Sequence, residues 1–357
     1  MKVTLARLVV GAVVVLLTLL VADRALGAIK GGVVKPVNAL GMESGVNEQG
    51  TQLRPNFSGR YVNAEYSIDI AINSSGLRGP EIAPKRAGVA RILALGDSFT
   101  FGQGVEYGRA WPALIGSMSP RSSDVVNAGW AAPSPVGQLA YLEGPGLRLD
   151  PDLVLDALFV GNDVVDDLAA SRGIVRGTDV VEFQATYLTN LQARVGVQGA
   201  VRDLVDAALP NLYEAATLAV VRIQYAMGGR RGLFDYILAD EPTPEIREGW
   251  ALTLAAVSRM ASEVEARGKR FGLIIVPFYD QVARSDFGPG YTADLPQRRI
   301  LARCSERGIA CLDLRPVLLR AGDASALYYL KDGHFTADGQ RVASDAIAAW
   351  LTREGLW

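Results

Sequence analysis

From Val89 onward the chain alternates short apolar runs with longer stretches of helical spacing. Val89 to Leu95 ends at Gly96, Asp124 to Asn127 stops before Gly129, and Asp152 to Val160 ends at Gly161. Arg270 to Val276 ends at Pro277, and Ile309 to Leu314 stops before Pro316. Continuous apolar runs of this length, bounded by Gly or Pro, predict strands buried on both faces. Helices are predicted between and after them, over Ala110 to Met118, Pro135 to Leu147, Leu295 to Glu306 and Ala337 to Thr352. Thr336 suits the N-cap of the last, and Asp338 complements its positive end. Strand–helix alternation implies an α/β domain with a parallel five-stranded sheet and right-handed crossovers.

One crossover is too long. About 110 residues separate the third strand from the fourth, far beyond an ordinary connection. Helical patterns fill them, as at Val201 to Ala208 and Trp250 to Glu265, so residues 168–266 are expected to hold a helical insertion. Such an insertion either covers the site or only packs beside it. Upstream, Tyr66, Ile68, Ile70 and Ile72 alternate with polar residues, predicting a short strand or hairpin within Tyr61 to Asn73. Asn73, Ser74, Ser75 and Gly76 then make a turn. Gly27 to Asn56 shows no periodicity and reads as a linker.

The extreme N-terminus differs from everything else. Lys2 and Arg7 precede an uninterrupted run from Leu8 to Ala22, closed by Asp23 and Arg24. A 15-residue helix spans only about 22 Å of a hydrocarbon core of about 30 Å. Val3 to Leu5 extend it where Lys2 and Arg7 snorkel. Two readings stand: a retained anchor, and a signal peptide cleaved near Ala25, Leu26 and Gly27. Positive charge before the run sends the remainder across the membrane in either case. A helix apolar on every face has nothing local to pack on, which argues against a core helix. The expected organisation is therefore 1–28 as anchor or signal, 29–85 as linker and short β extension, and 86–357 as the catalytic-type domain.

Composition narrows the partners. Hydrophobic residues make up 49% and charged residues 21%, with a formal net charge of -2 and no basic block, so nucleic acid is not expected. Cys304 and Cys311 are the two cysteines. In an exported domain they form a disulfide or remain two small buried hydrophobes, and both readings stay open. His334 is the single histidine, so a Cys/His metal site is not expected.

The candidate chemistry lies at the strand ends, where open parallel sheets build their sites. Gly96, Asp97 and Ser98 follow the first strand, Asn127, Ala128 and Gly129 close the second, and Gly161, Asn162 and Asp163 follow the third. Asp332, Gly333 and His334 precede the last helix. A serine hydroxyl needs a neighbouring base, which an imidazole near neutrality supplies, and a carboxylate orients the ring. The Ser98 and Gly129 backbone N–H groups and the Asn162 amide are candidate oxyanion donors. Gly129, lacking Cβ, is expected to admit substrate close to its N–H, and Trp130 beside it is a candidate pocket wall.

These blocks resemble those of the SGNH (GDSL-type) hydrolase family: Gly96-Asp97-Ser98 the first, Gly129 the second, Gly161-Asn162-Asp163 the third and Asp332-Gly333-His334 the last. The resemblance runs roughly from Ala90 to Trp350, and Asn73 to Gly79 is similar to the lead-in of many bacterial members. It implies a flavodoxin-like three-layer α/β/α fold with strand order 2-1-3-4-5. It also implies Ser98 as nucleophile, His334 as base, Asp332 as its partner, and Gly129 and Asn162 as oxyanion donors. The common family spacing is Asp-x-x-His, whereas this chain has Asp-x-His, a form that also occurs in relatives that move acetyl groups on envelope polysaccharides.

Other features carry weaker readings. Gly96 to Gly104 lacks the lysine of a phosphate loop. Asp163, Asp166 and Asp167 are read as a solvated, capped helix start rather than a cation site. Trp111, Trp130 and Tyr141 are candidates to line a substrate groove, and core packing explains Trp111 equally well. The expected function is an ester hydrolase with a Ser98 acyl-enzyme and no cofactor, acting on a small-molecule or glycan ester outside the bacterial cytoplasmic membrane. The rivals are O-acyl transfer to an envelope polysaccharide and a non-catalytic carbohydrate-binding protein.

Overall fold

The computed structural model describes residues 2–32, 42–47, 50–130, 134–174, 183, 205–227, 232 and 234–357. At the N-terminus, α1 (Lys2–Ile29) precedes two antiparallel hairpins, β1 (Glu43–Asn47) with β2 (Gly50–Leu53), and β3 (Ser58–Val62) with β4 (Ser67–Ala71). The main domain follows with β5 (Ala90–Gly96), α2 (Ser98–Phe101), α3 (Trp111–Met118), β6 (Ser123–Asn127), α4 (Pro135–Tyr141), β7 (Leu153–Phe159) and α5 (Asp163–Ser171). After these come α6 (Pro210–Ala226), α7 (Pro244–Glu265), β8 (Arg270–Val276), α8 (Tyr279–Ala283), α9 (Leu295–Arg307) and β9 (Ala310–Asp313). The chain closes with α10 (Arg315–Ala321), α11 (Ala324–Leu327) and α12 (Ala337–Arg353).

Strands β5 to β9 form one parallel sheet in the order β6-β5-β7-β8-β9, the expected 2-1-3-4-5. All seven residues of the central β7 are buried, so helices cover both faces and its apolar run needs no alternation. Thr336 caps α12, its side chain accepting from the Gly339 N–H at 3.2 Å, and Trp350 on that helix is 1% exposed. The predicted helix over 135–147 is regular only to Tyr141 and continues as a π-turn over Leu142–Gly146. Pro145 lies inside that turn and offers no N–H for an α-helical bond.

Three expectations need revision. First, α1 runs well past Ala22, and Val10–Ile29 alone is 20 residues, long and apolar enough to cross a membrane. Asp23, which seemed to end the run, is fully buried: it accepts from the Leu212 N–H at 2.9 Å and the Asn211 Nδ2 at 3.0 Å. The α6 N-terminus thus satisfies a carboxylate that helical periodicity alone could not place. Second, the presumed linker holds the β1–β2 hairpin, flanked by buried Met42 and Leu53. Its backbone ladder and flanking anchors, rather than alternation, order it. Third, the helices at the two ends of the 168–266 stretch, α5 up to Ser171 and α7 from Pro244, pack on each other rather than standing apart from the main domain. The Val201 to Ala208 helix prediction lies partly outside the described residues. Cys304 and Cys311 form a disulfide, with Cα atoms 6.4 Å apart, joining the end of α9 to β9.

A second apolar cluster sits apart from the main core. It unites the alternating Tyr66, Ile68, Ile70 and Ile72 of the second hairpin with Met42, Leu53, Phe57, Tyr61 and Phe101. Phe101 belongs to α2, so this cluster fastens the N-terminal hairpins directly to the turn that carries Ser98.

Candidate active site

The turn after β5 is built from neighbours in sequence. Gly96 has φ +140, and a Cβ there would stand 2.1 Å from the Thr100 Oγ1. Only glycine takes this conformation and this approach without strain. Asp97 then caps α2, accepting from the Phe99 N–H at 2.9 Å, and the Thr100 hydroxyl donates to the Leu95 carbonyl at 3.1 Å. These bonds put Ser98 first in a one-turn helix. Its N–H has no acceptor among the described residues.

The Ser98 Oγ lies 2.6 Å from the His334 Nε2, and the His334 Nδ1 lies 2.5 Å from the Asp332 Oδ1. Residues 236 positions apart therefore share a hydrogen bond. The His334 loop is closed locally by the Tyr329 N–H donating to the His334 carbonyl at 2.8 Å and the Gly333 N–H to the Tyr329 carbonyl at 2.8 Å. Phe99 packs its ring 4.8 Å from the imidazole.

The electrostatics suit these positions. Burial pushes the Asp332 carboxyl upward, but His334 and the hydroxyl and amide donors of Tyr66 and Gln103 outweigh it and hold the group below its ordinary range. Asp332 therefore stays ionised beside the ring at neutral pH. Asp97 goes the other way: burial raises it to about 6, opposed by the Phe99 N–H and by His334.

The expected oxyanion donors fare differently. The Gly129 N–H donates to its neighbour Asn127 Oδ1 at 2.9 Å, so it is already engaged. The need for glycine there has another cause: a Cβ would stand 2.1 Å from the Phe101 N, inside the backbone of the nucleophile turn. Asn127 ties the two together, its Nδ2 donating to the Thr100 carbonyl at 2.9 Å. Asn162 gives one of its two amide hydrogens to Asp166 Oδ2 at 2.6 Å. Trp130 has φ +68 and sits half-buried with its ring 5.5 Å from Phe101.

The aspartates after β7 are not solvated, as their spacing suggested. Asp163 and Asp167 are fully buried and Asp166 nearly so. Asp163 accepts from the Phe159 N–H, and Asp167 from the Val136 N–H and the Thr253 hydroxyl. Burial raises Asp167 to about 6 and Asp163 well above its ordinary value.

Sequence reading missed several residues around this site. Glu65, Tyr66 and Gln103 bind the Asp332 segment, Asn127 joins two loops, and the Tyr236 hydroxyl donates to the Gly161 carbonyl at 2.5 Å. None carries a local signature, because each acts on a segment distant in the chain or through an ordinary turn contact. Tyr236, and Phe234 packed 5.6 Å from Phe159, bring the segment just before α7 onto the site edge.

Residues 236–356 match the family model described as SGNH hydrolase-like domain, acetyltransferase AlgX. The match covers about a third of the chain. It contains Asp332 and His334, whereas Ser98, Gly129 and Asn162 lie upstream of the match. No curated protein matches the chain. Solved structures similar to it at low identity include a member of the lipolytic protein G-D-S-L family from Veillonella parvula, at 15% identity and TM-score 0.38, covering 74% of this chain and 100% of that one. An acetylxylan esterase from Geobacillus stearothermophilus has 14% identity and TM-score 0.41, covering 75% and 96% respectively. TesA has 16% identity and TM-score 0.41, covering 74% and 98%.

Proposed function

We propose that this chain is a serine-dependent ester hydrolase that works through an acyl-enzyme on Ser98. The observation that carries the reading is the continuous bond path from the Ser98 Oγ through His334 to Asp332. In the first half-reaction the His334 Nε2 takes the Ser98 proton as the oxygen attacks the ester carbonyl. Asp332 holds the Nδ1–H and stabilises the imidazolium. The Ser98 N–H and the second Asn162 amide hydrogen are assigned to the oxyanion. Collapse breaks the bond to the alcohol oxygen, which leaves with the proton from the imidazolium. Water, deprotonated by His334, then attacks the acyl carbon and restores Ser98.

O-acyl transfer to a polysaccharide hydroxyl is the second reading, and the acetyltransferase in the matched family description favours it. It differs only in the last step, where a sugar hydroxyl replaces water. We place the domain on the extracytoplasmic face of the bacterial membrane, with α1 as its anchor and a small-molecule or glycan ester as substrate. Support comes from Lys2 and Arg7 before the apolar span and from the disulfide.

The full chain in detergent micelles should cleave a short-chain acyl nitrophenyl ester, and intact mass should show an acyl adduct that Ser98→Ala abolishes. Equal turnover by wild type and Ser98→Ala would falsify the reading. Added glycan acceptors that capture the acyl group faster than water would convert hydrolase into transferase.

A further inference from the structure

Asp332 uses one carboxylate oxygen for His334, and its other oxygen is also occupied. The Tyr66 hydroxyl donates to Asp332 Oδ2 at 2.9 Å, and the Gln103 Nε2 donates to the same oxygen at 3.2 Å. Tyr66 is itself held by rings on two sides, Tyr61 at 5.4 Å and Tyr329 at 4.9 Å between centroids. It is 8% exposed and has little freedom to turn away. The next residue upstream acts on the same loop: the Glu65 carboxylate accepts from the Lys331 N–H at 3.1 Å and the Asp332 N–H at 2.8 Å. Asn63 Oδ1 shapes the turn that presents both, accepting from the Glu65 N–H at 2.8 Å and the Tyr66 N–H at 2.9 Å.

With only one residue between Asp332 and His334, the carboxylate sits on a short loop around Gly333, whose φ is +91. The bonds to both oxygens fix the plane of the carboxylate, and the two backbone donations to Glu65 fix the loop. We infer that Tyr66 and Gln103 are positioning residues for Asp332, and that the β3–β4 hairpin, lying outside the matched SGNH-like segment, is a structural part of the active site. This rests on the reading of Ser98, His334 and Asp332 as a catalytic relay.

The test uses the full chain in detergent micelles, with Tyr66→Phe, Gln103→Leu and the double variant. His334 is the single histidine, so the downfield proton resonance of its Nδ1–H is assigned without ambiguity. Tyr66→Phe should move that resonance and lower kcat for an acyl nitrophenyl ester about tenfold at unchanged KM, the loss of one donor to a carboxylate. The double variant should lose more kcat than either single one. Wild-type resonance and kcat in the double variant would overturn the inference, as would a loss confined to KM. Gln103→Leu carries the test alone should Tyr66→Phe not fold. Were Ser98→Ala to cleave ester as well as wild type, the relay reading would fall. The resonance would still decide whether Tyr66 and Gln103 hold the Asp332–His334 pair.

Discussion

The two halves of the candidate relay are built in opposite ways. The Ser98 turn is shaped by Gly96, Asp97 and Thr100, all within two residues of the nucleophile. The Asp332 segment is held by Tyr66 and Glu65, which lie 266 and 267 residues away from Asp332, and by Gln103. A locally built turn leaves its mark in a short stretch of sequence. A loop held across the fold leaves none, because its supports sit wherever the chain returns. The short Asp-x-His spacing fits this: the two residues are close, but their orientation depends on the hairpin.

Substitutions on the two sides break or sharpen that contrast. Ser98→Ala should cause the largest loss, about 10⁶ in kcat, with an unchanged melting temperature. A loss below tenfold would remove the nucleophile from position 98. Asp332→Asn should follow at about 10⁴, since the amide disfavours the ring tautomer in which Nδ1 donates. Wild-type turnover in that variant would show that the distal side of the comparison has no catalytic weight. Asn162→Ala should cost about 10² to 10³ in kcat, with KM little changed. An effect on KM alone would move Asn162 from the oxyanion to ground-state binding.

Gly129→Ala tests the junction between the loops. Its Cβ would meet the Phe101 N at 2.1 Å, so it should destabilise the fold by about 1–3 kcal/mol in urea titrations. Unchanged stability would show that the nucleophile turn yields easily.

The buried carboxylates add a pH slope to stability. Asp156 lies within the buried β7, and burial, with Asp167 and Asp97 nearby, raises it to about 8. Its folded pKa exceeds the unfolded value near 3.8, so the folded state binds more protons across that window. Its contribution is full below the unfolded value and is lost as pH rises through about 8. Asp97 and Asp167, each raised to about 6, act in the same direction over a narrower range. Urea midpoints should therefore fall between pH 5 and pH 8.5, and Asp156→Asn should flatten that fall. An identical slope in the variant would remove Asp156 from the account.

Much of the main domain is readable from periodicity. The runs at Val89 to Leu95 and Arg270 to Val276 became β5 and β8 within a residue or so, because central parallel strands must be apolar on both faces. The β1–β2 hairpin was not readable, since its strands carry no alternation to betray them. Asp163 and Asp167 misled for a related reason: a carboxylate after a strand looks like a solvated cap until the partners that bury it are known. At Gly129 the Phe101 backbone occupies the space a Cβ would take, a constraint from another loop that the local sequence does not mark.

By itself, the sequence determined the strand and helix pattern, the apolar N-terminal span and the residue types gathered at one sheet edge. Those properties depend on local spacing and on the side-chain chemistry of neighbours. Tertiary structure alone decided which donors reach Asp332, that the Gly129 N–H turns toward Asn127, and that Asp23 is buried at the head of α6. Hydrogen bonds are short and directional, so their partners emerge only after the fold has brought distant segments within about 3 Å.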